Sequence, residues 1–285
     1  MKARVLILLA CSVVLLRAEP PNAAALALFK AKHYPESRDA FEQIAAAEPN
    51  NAEAHYYLGM IAIRRSDNDE AIRQLERATE LAPANSDYFA DLGDAYSRAI
   101  DKAGLLSQLG LARKCQAALE KSVELNPDNL PARNGLVSFY RQAPTFAGGG
   151  LSKAYEQAAE IKKRDPVMGT AVYGQLYISE KKYEDAFAVF ERLLATHPDN
   201  YIALYSIGRT AALTGTHLDR GEQALRRCLE LAPGKGEPSH AAAQWRLGGI
   251  AEKRGDRAAA RAAYEEALKL DPAFAQASES LAKLK

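Results

Sequence analysis

The sequence repeats itself at a fixed interval, and that interval leaves few folds open to it. Pro83 follows Pro49 by 34 residues, and Gly93 follows Gly59 by 34. The clearest unit, residues 52–85, predicts two short helices. The first carries Leu58 and Gly59 on one face; after the polar turn Ser66-Asp67-Asn68-Asp69, the second carries Ala71, Leu75 and Ala78 before Pro83 stops it. Ala71, Leu75 and Ala78 share one helical stripe, which must face another helix. Small Gly59, Ala71 and Ala78 permit close approach of the two axes, and Leu58 and Leu75 fill the space between them. One such hairpin cannot bury its own apolar face, whereas stacked copies can, so the period predicts a linear array. Alanine recurs at helical spacing throughout, and no alternating Val/Ile/Thr run predicts strands, which places the array in the all-α class.

Within each unit an aromatic or large residue, Leu-Gly and Tyr fall on the first helix, and Ala, Phe or Leu, Ala and then Pro on the second. In this the chain resembles the tetratricopeptide repeat family, with about seven copies after residue 20. The resemblance implies a right-handed superhelical solenoid over residues 19–285, closed by a C-terminal capping helix over residues 274–285. The first copy is imperfect, with Ala24-Ala25 where later ones have Leu-Gly, as terminal repeats often are. Two copies depart from the period. Pro127 follows Pro83 by 44 residues, and the extra residues around 98–111 predict a lengthened helical hairpin, with a bulge as the alternative. In the next copy residues 144–150 end in Gly148, Gly149 and Gly150. Read as a connector, this segment makes Ser152 the N-cap of the following helix; read as a binding loop, its glycine N–H groups form an anion site for a small molecule or glycan.

Residues 1–18 are of another character. Lys2 and Arg4 precede an apolar run from Val5 to Leu16 that is too short to span a bilayer but fits a secretory signal cut after Ala18. A rival reading takes Leu8-Leu9-Ala10-Cys11 as a lipidation signal with the anchor on Cys11. Either one predicts an exported chain, periplasmic or secreted. Without Lys2, Arg4 and Arg17 the chain carries 34 basic and 36 acidic residues, a net −2, and no basic run calls for nucleic acid as a partner. Cys115 and Cys228 fall in different repeats, too far apart for a disulfide, and read as small core residues.

No catalytic constellation is present. The five histidines are scattered without metal-ligand spacing, and the sequence contains neither a nucleophile elbow nor a phosphate loop. The acidic run 67–70 lacks the Gly and distant Glu of a calcium loop and reads as helix capping. We therefore expect no metal, no cofactor and no enzyme activity. The family resemblance implies instead a protein-interaction scaffold whose first helices line a concave groove. Mapped onto that face, the candidate partner-binding residues are Tyr56, Met60, Arg98, Asn134, Arg141, Gln175, Tyr205, Arg209 and Trp245, with Arg64, Asp94 and Ser138 beside them. Tyr56, Tyr205 and Trp245 are the expected apolar anchors, and Arg98, Arg141 and Arg209 the polar ones. The paired Lys and Asn by which one subgroup of the family grips chaperone C-termini are missing at these places, so that partner class is not expected.

Overall fold

The computed structural model describes residues 21–100, 102–234 and 236–284. The expected leader, with Cys11 and the cut after Ala18, lies outside the described residues. Those described form seven antiparallel helix pairs: α1 (Pro21–Lys30) with α2 (Tyr34–Ala47), α3 (Ala52–Arg64) with α4 (Asn68–Leu81), α5 (Ser86–Ile100) with α6 (Leu105–Leu125), α7 (Leu130–Gln142) with α8 (Leu151–Arg164), α9 (Pro166–Ser179) with α10 (Tyr183–Thr196), α11 (Tyr201–Thr214) with α12 (Leu218–Glu230), and α13 (His240–Lys253) with α14 (Arg257–Leu270). A last helix, α15 (Ala275–Lys283), covers the open side of α14. The fold is the expected all-α solenoid, and no strand occurs among the described residues.

Helix starts are set by short polar side chains. Asn51, Asn129 and Asn200 each accept a hydrogen bond from the backbone N–H three residues on, and Asp67, Asp165, Asp256 and Ser239 do the same. Asp67 thereby caps α4, as the acidic run was expected to do. In five of the seven pairs a glycine of the first helix meets a large side chain of the second. A Cβ on Gly59 would lie 2.6 Å from Leu75, one on Gly93 2.6 Å from Leu119, and one on Gly208 2.2 Å from Leu225. Gly174 stands in the same relation to Phe190, and Gly248 to Tyr264. Successive pairs join through a core in which Leu75, Leu136, Leu176, Ile207 and Ile250 are all at most 1% exposed.

The first departure from the period lengthens the hairpin, as expected, and almost wholly through its second helix. α6 has 21 residues where α4 has 14. At the second, a 3-10 turn (Thr145–Ala147) precedes α8, whose N-cap is Gly150 rather than Ser152. Ser152 sits inside the first turn of α8, its Oγ 3.4 Å from Glu156, because Gly150 at φ 152° already turns the chain into the helix. Cys115 and Cys228 are buried free thiols; burial first, then Asp94 or Glu237, pushes each up to about 12.

Candidate partner-binding groove

The first helices stand side by side, α3 against α5, α5 against α7, and so on through α9 and α11 to α13, and their outward positions form the inner wall of the solenoid. The expected site residues divide into those that pack internally and those that remain open to a partner.

Tyr56 is held between α3 and α5: its hydroxyl donates to Asp91 at 2.6 Å and its ring stacks on Tyr88 with centroids 4.3 Å apart. Burial, then the Asp91 carboxylate, pushes its pKa far above the ordinary tyrosine value. Met60 is half-buried beside it, and Arg64 is turned back to the first repeat, its guanidinium about 5 Å from the ring centres of Phe29 and Tyr34. Arg98 pairs with Asp94 one turn earlier at 2.7 Å, both exposed. Gln175 donates to Ser206 Oγ at 2.6 Å, tying α9 to α11. Asn134 is exposed.

Two of the three apolar anchors are engaged elsewhere. Tyr205 is only 9% exposed, because α11 is covered by neighbouring helices on both sides. Trp245 seals the joint with the capping helix: its indole N–H donates to Ser280 Oγ at 3.0 Å, and its ring meets Phe274 edge-on at 5.9 Å. The Arg246 guanidinium lies 3.9 Å from the Trp245 ring centre.

The glycine loop is not an anion cradle. The Gly148 N–H donates to Thr145 O at 3.0 Å, Gly149 to Pro144 O at 3.1 Å and Gly150 to Tyr140 O at 2.8 Å. All three donors are therefore directed inward. The glycines answer a steric need: Gly148 has φ 94°, and a Cβ on Gly149 would lie 1.7 Å from the Ala143 carbonyl oxygen.

Arg141 and Arg209 remain. Among the described residues neither has an ion-pair or hydrogen-bond partner. Arg141, at the end of α7, is open to solvent and yet ringed by protein, as a side chain in a concavity is. Desolvation lowers the pKa of its guanidinium, and the nearness of Arg209 on α11 lowers it further. Arg141 on α7 and Arg209 on α11 therefore stand near enough for their like charges to oppose one another. Among the described residues no group of His, Cys, Asp and Glu is placed to hold a metal ion. No described helix is long and apolar enough to cross a membrane.

Sequence profiles of the Tetratricopeptide repeat match residues 22–86, 174–235, 210–273 and 251–284, and another of the same description matches 100–129. A TPR repeat-containing thioredoxin of Arabidopsis thaliana, TTL4, is 31% identical over 114 residues, which are 40% of this chain and only 15% of that protein. Among solved structures, a tetratricopeptide repeat protein from Parabacteroides merdae superposes with a TM-score of 0.70 at 16% identity, covering 93% of this chain and 96% of that one. The human IFIT1 dimer with m7Gppp-AAAA gives a TM-score of 0.66 at 19% identity over 94% of this chain and 62% of that one. These likenesses are of fold, while the sequence profiles together span well over half of the residues, and the chain belongs to the tetratricopeptide repeat family.

Proposed function

We propose that the solenoid is a scaffold that seats an acidic segment of a partner protein in its concave groove. Proteins of this family are interaction scaffolds and bind protein partners. The observation that supports the finer reading is the Arg141–Arg209 pair, two cations near enough to oppose one another, neither with an ion-pair or hydrogen-bond partner among the described residues. A carboxylate or phosphate from a partner relieves that repulsion and accepts bidentate hydrogen bonds from both guanidiniums. Tyr56 and Met60 offer a partly apolar surface further along the same wall.

The test is charge reversal. The full chain and an Arg141→Glu/Arg209→Glu variant are compared for capture of partners from a cell-envelope extract and for binding of the recovered acidic peptide. The variant is expected to bind at least tenfold more weakly, about 1.4 kcal/mol, and wild-type binding to weaken as salt is raised. Equal affinity and equal salt dependence in the two proteins would sink the groove reading.

We also propose that the chain is exported by its apolar leader. Mass spectrometry of the protein recovered from an expressing bacterium is expected to find Glu19 as the first residue. An acylated Cys11 would transfer the reading to a lipid anchor, and a retained residue 1–18 segment in the cytoplasm would end it.

A further inference from the structure

The two segments that break the repeat period belong to consecutive repeats, and in the folded chain they meet. Between them lies a pocket of about 470 Å³, within the size range of small-molecule sites. Its apolar wall comes from both insertions and from the helices they follow: Leu109 and Ala112 of the lengthened α6, Phe146 of the 3-10 turn, and Ile100 and Phe139 of α5 and α7. The unbroken period supplies neither Leu109 nor Phe146, so an ordinary stack of these repeats would have no such pocket.

Phe146 is the key to the arrangement. It is 79% exposed, an unfavourable state for a large aromatic side chain, and yet the loop that presents it is tightly fixed. The inward hydrogen bonds of Gly148, Gly149 and Gly150, with the packing of Gly149 on the Ala143 carbonyl, allow that loop one path. The glycines that do not bind an anion therefore hold an aromatic ring at the rim of a pocket. Leu109, 40% exposed, stands on the same rim.

The lining also restricts the chemistry of an occupant. None of the described lining residues is charged; the polar ones are Ser97, Gln108, Ser138 and Gln142. Gln108 donates to the Ala103 carbonyl at 3.1 Å, whereas Ser97, Ser138 and Gln142 have no hydrogen-bond partner among the described residues. By contrast, the hollow of about 650 Å³ between α8, α9 and α10 carries Lys162 and Arg192. A pocket with an apolar body and only neutral hydroxyl and amide groups suits a ligand of the same kind, since an ionised group brought there would lose its hydration without gaining a counter-charge.

We propose that the two insertions build a binding site for a neutral, largely apolar small molecule carrying one or two hydrogen-bonding groups. Neither Arg141 nor Arg209 lines the pocket, although Ser138, expected beside the groove residues, does. Titration of the full chain with Nile red, a neutral apolar dye, is expected to show saturable binding at one site per chain, competed by 1-decanol. Phe146→Ala, at an exposed position, is expected to leave thermal stability unchanged and to weaken dye binding about fivefold or more, the effect of losing one aromatic face. Ser138→Trp fills the pocket and is expected to abolish binding; if that variant does not fold, Phe146→Ala alone decides. Dye affinity that Phe146→Ala leaves unchanged would overturn the site, as would binding that never saturates. Wild type that binds no dye, with a self-association that Phe146→Ala removes, would identify the patch as a contact between copies and also overturn the proposal.

Discussion

Phe190→Ala is expected to lower stability by about 3–5 kcal/mol. Phe190 is completely buried in α10, and its ring occupies the space that a side chain at position 174 would take: a Cβ on Gly174 would lie 2.4 Å from Phe190 Cζ. The ring is therefore the spacer between α9 and α10, and its removal leaves a void that two helices tied to their neighbours cannot close. The converse change, Gly174→Ala, adds a methyl where a rigid aromatic ring stands and is expected to cost about 1–3 kcal/mol. The two effects should not add. In Gly174→Ala/Phe190→Leu the smaller side chain admits the added methyl, and a double-mutant cycle should show favourable coupling. Urea denaturation followed by circular dichroism measures these three variants and Phe190→Leu, the single change that closes the cycle. Because each repeat contacts mainly its neighbours, hydrogen exchange should locate the weakening in α9 and α10 and in the helices beside them. A loss below 1 kcal/mol for Phe190→Ala would mean that the glycine–aromatic contact does not set the spacing of this pair.

The same contact shows why the fold was legible in the sequence. Gly59 with Leu75 and Gly248 with Tyr264 each pair a residue without a side chain with a large one in the facing helix, and such pairs recur at the period of the array, so hairpin and stack are written together. The insertions were equally plain as changes in proline spacing. What they build was not, because the pocket depends on how far the extra turns of α6 lean over α7, which no local pattern states. The site was legible only in part. Tyr56 and Tyr205 hold equivalent places in their repeats, but α11 is flanked closely enough to bury Tyr205 to 9% exposure. Trp245 looked like a groove anchor until the capping helix supplied Ser280 within reach of its indole N–H. Three glycines before a helix suggest free donors; here Tyr140, Pro144 and Thr145 take all three. In each case the deciding partner is distant in sequence or set by backbone direction. Arg141 and Arg209 follow from the repeat register alone, but the register does not state which arginines are paired: Arg98 meets Asp94, and Arg254 meets Asp219 and Glu222, only once the helices are folded.

Stability is expected to fall steeply between about pH 10 and pH 12, by roughly 2 kcal/mol per pH unit or more. Four nearly buried tyrosines carry much of the loss, and Tyr56, Tyr155 and the buried thiols of Cys115 and Cys228, all raised by burial, add to it. The Tyr96 hydroxyl donates to Glu76, Tyr140 to Glu120 at 2.8 Å, Tyr264 to Glu252 at 2.7 Å and Tyr201 to the Pro238 carbonyl at 2.8 Å. Burial is the first cause that raises each pKa. For Tyr96, Tyr140 and Tyr264 the carboxylate acceptor raises it further, and Tyr201 is pushed up to about 12. Each of the four thus keeps, in the folded chain, a proton that the unfolded chain releases near pH 10. Below the unfolded value both states hold these protons and the contribution is complete. As pH rises through the folded values it is lost, with a ceiling of about 5 kcal/mol per pH unit for four groups. Solvent screening at the partly exposed carboxylates brings the slope below that ceiling. Melting temperature measured across this range, with tyrosine ionisation followed by ultraviolet absorption, should show a second wave of ionisation that coincides with unfolding. Tyr264→Phe removes one of these protons and should flatten the slope. Ionisation of all tyrosines near pH 10 with the helices intact would show that these hydroxyl bridges do not hold the packed helices together.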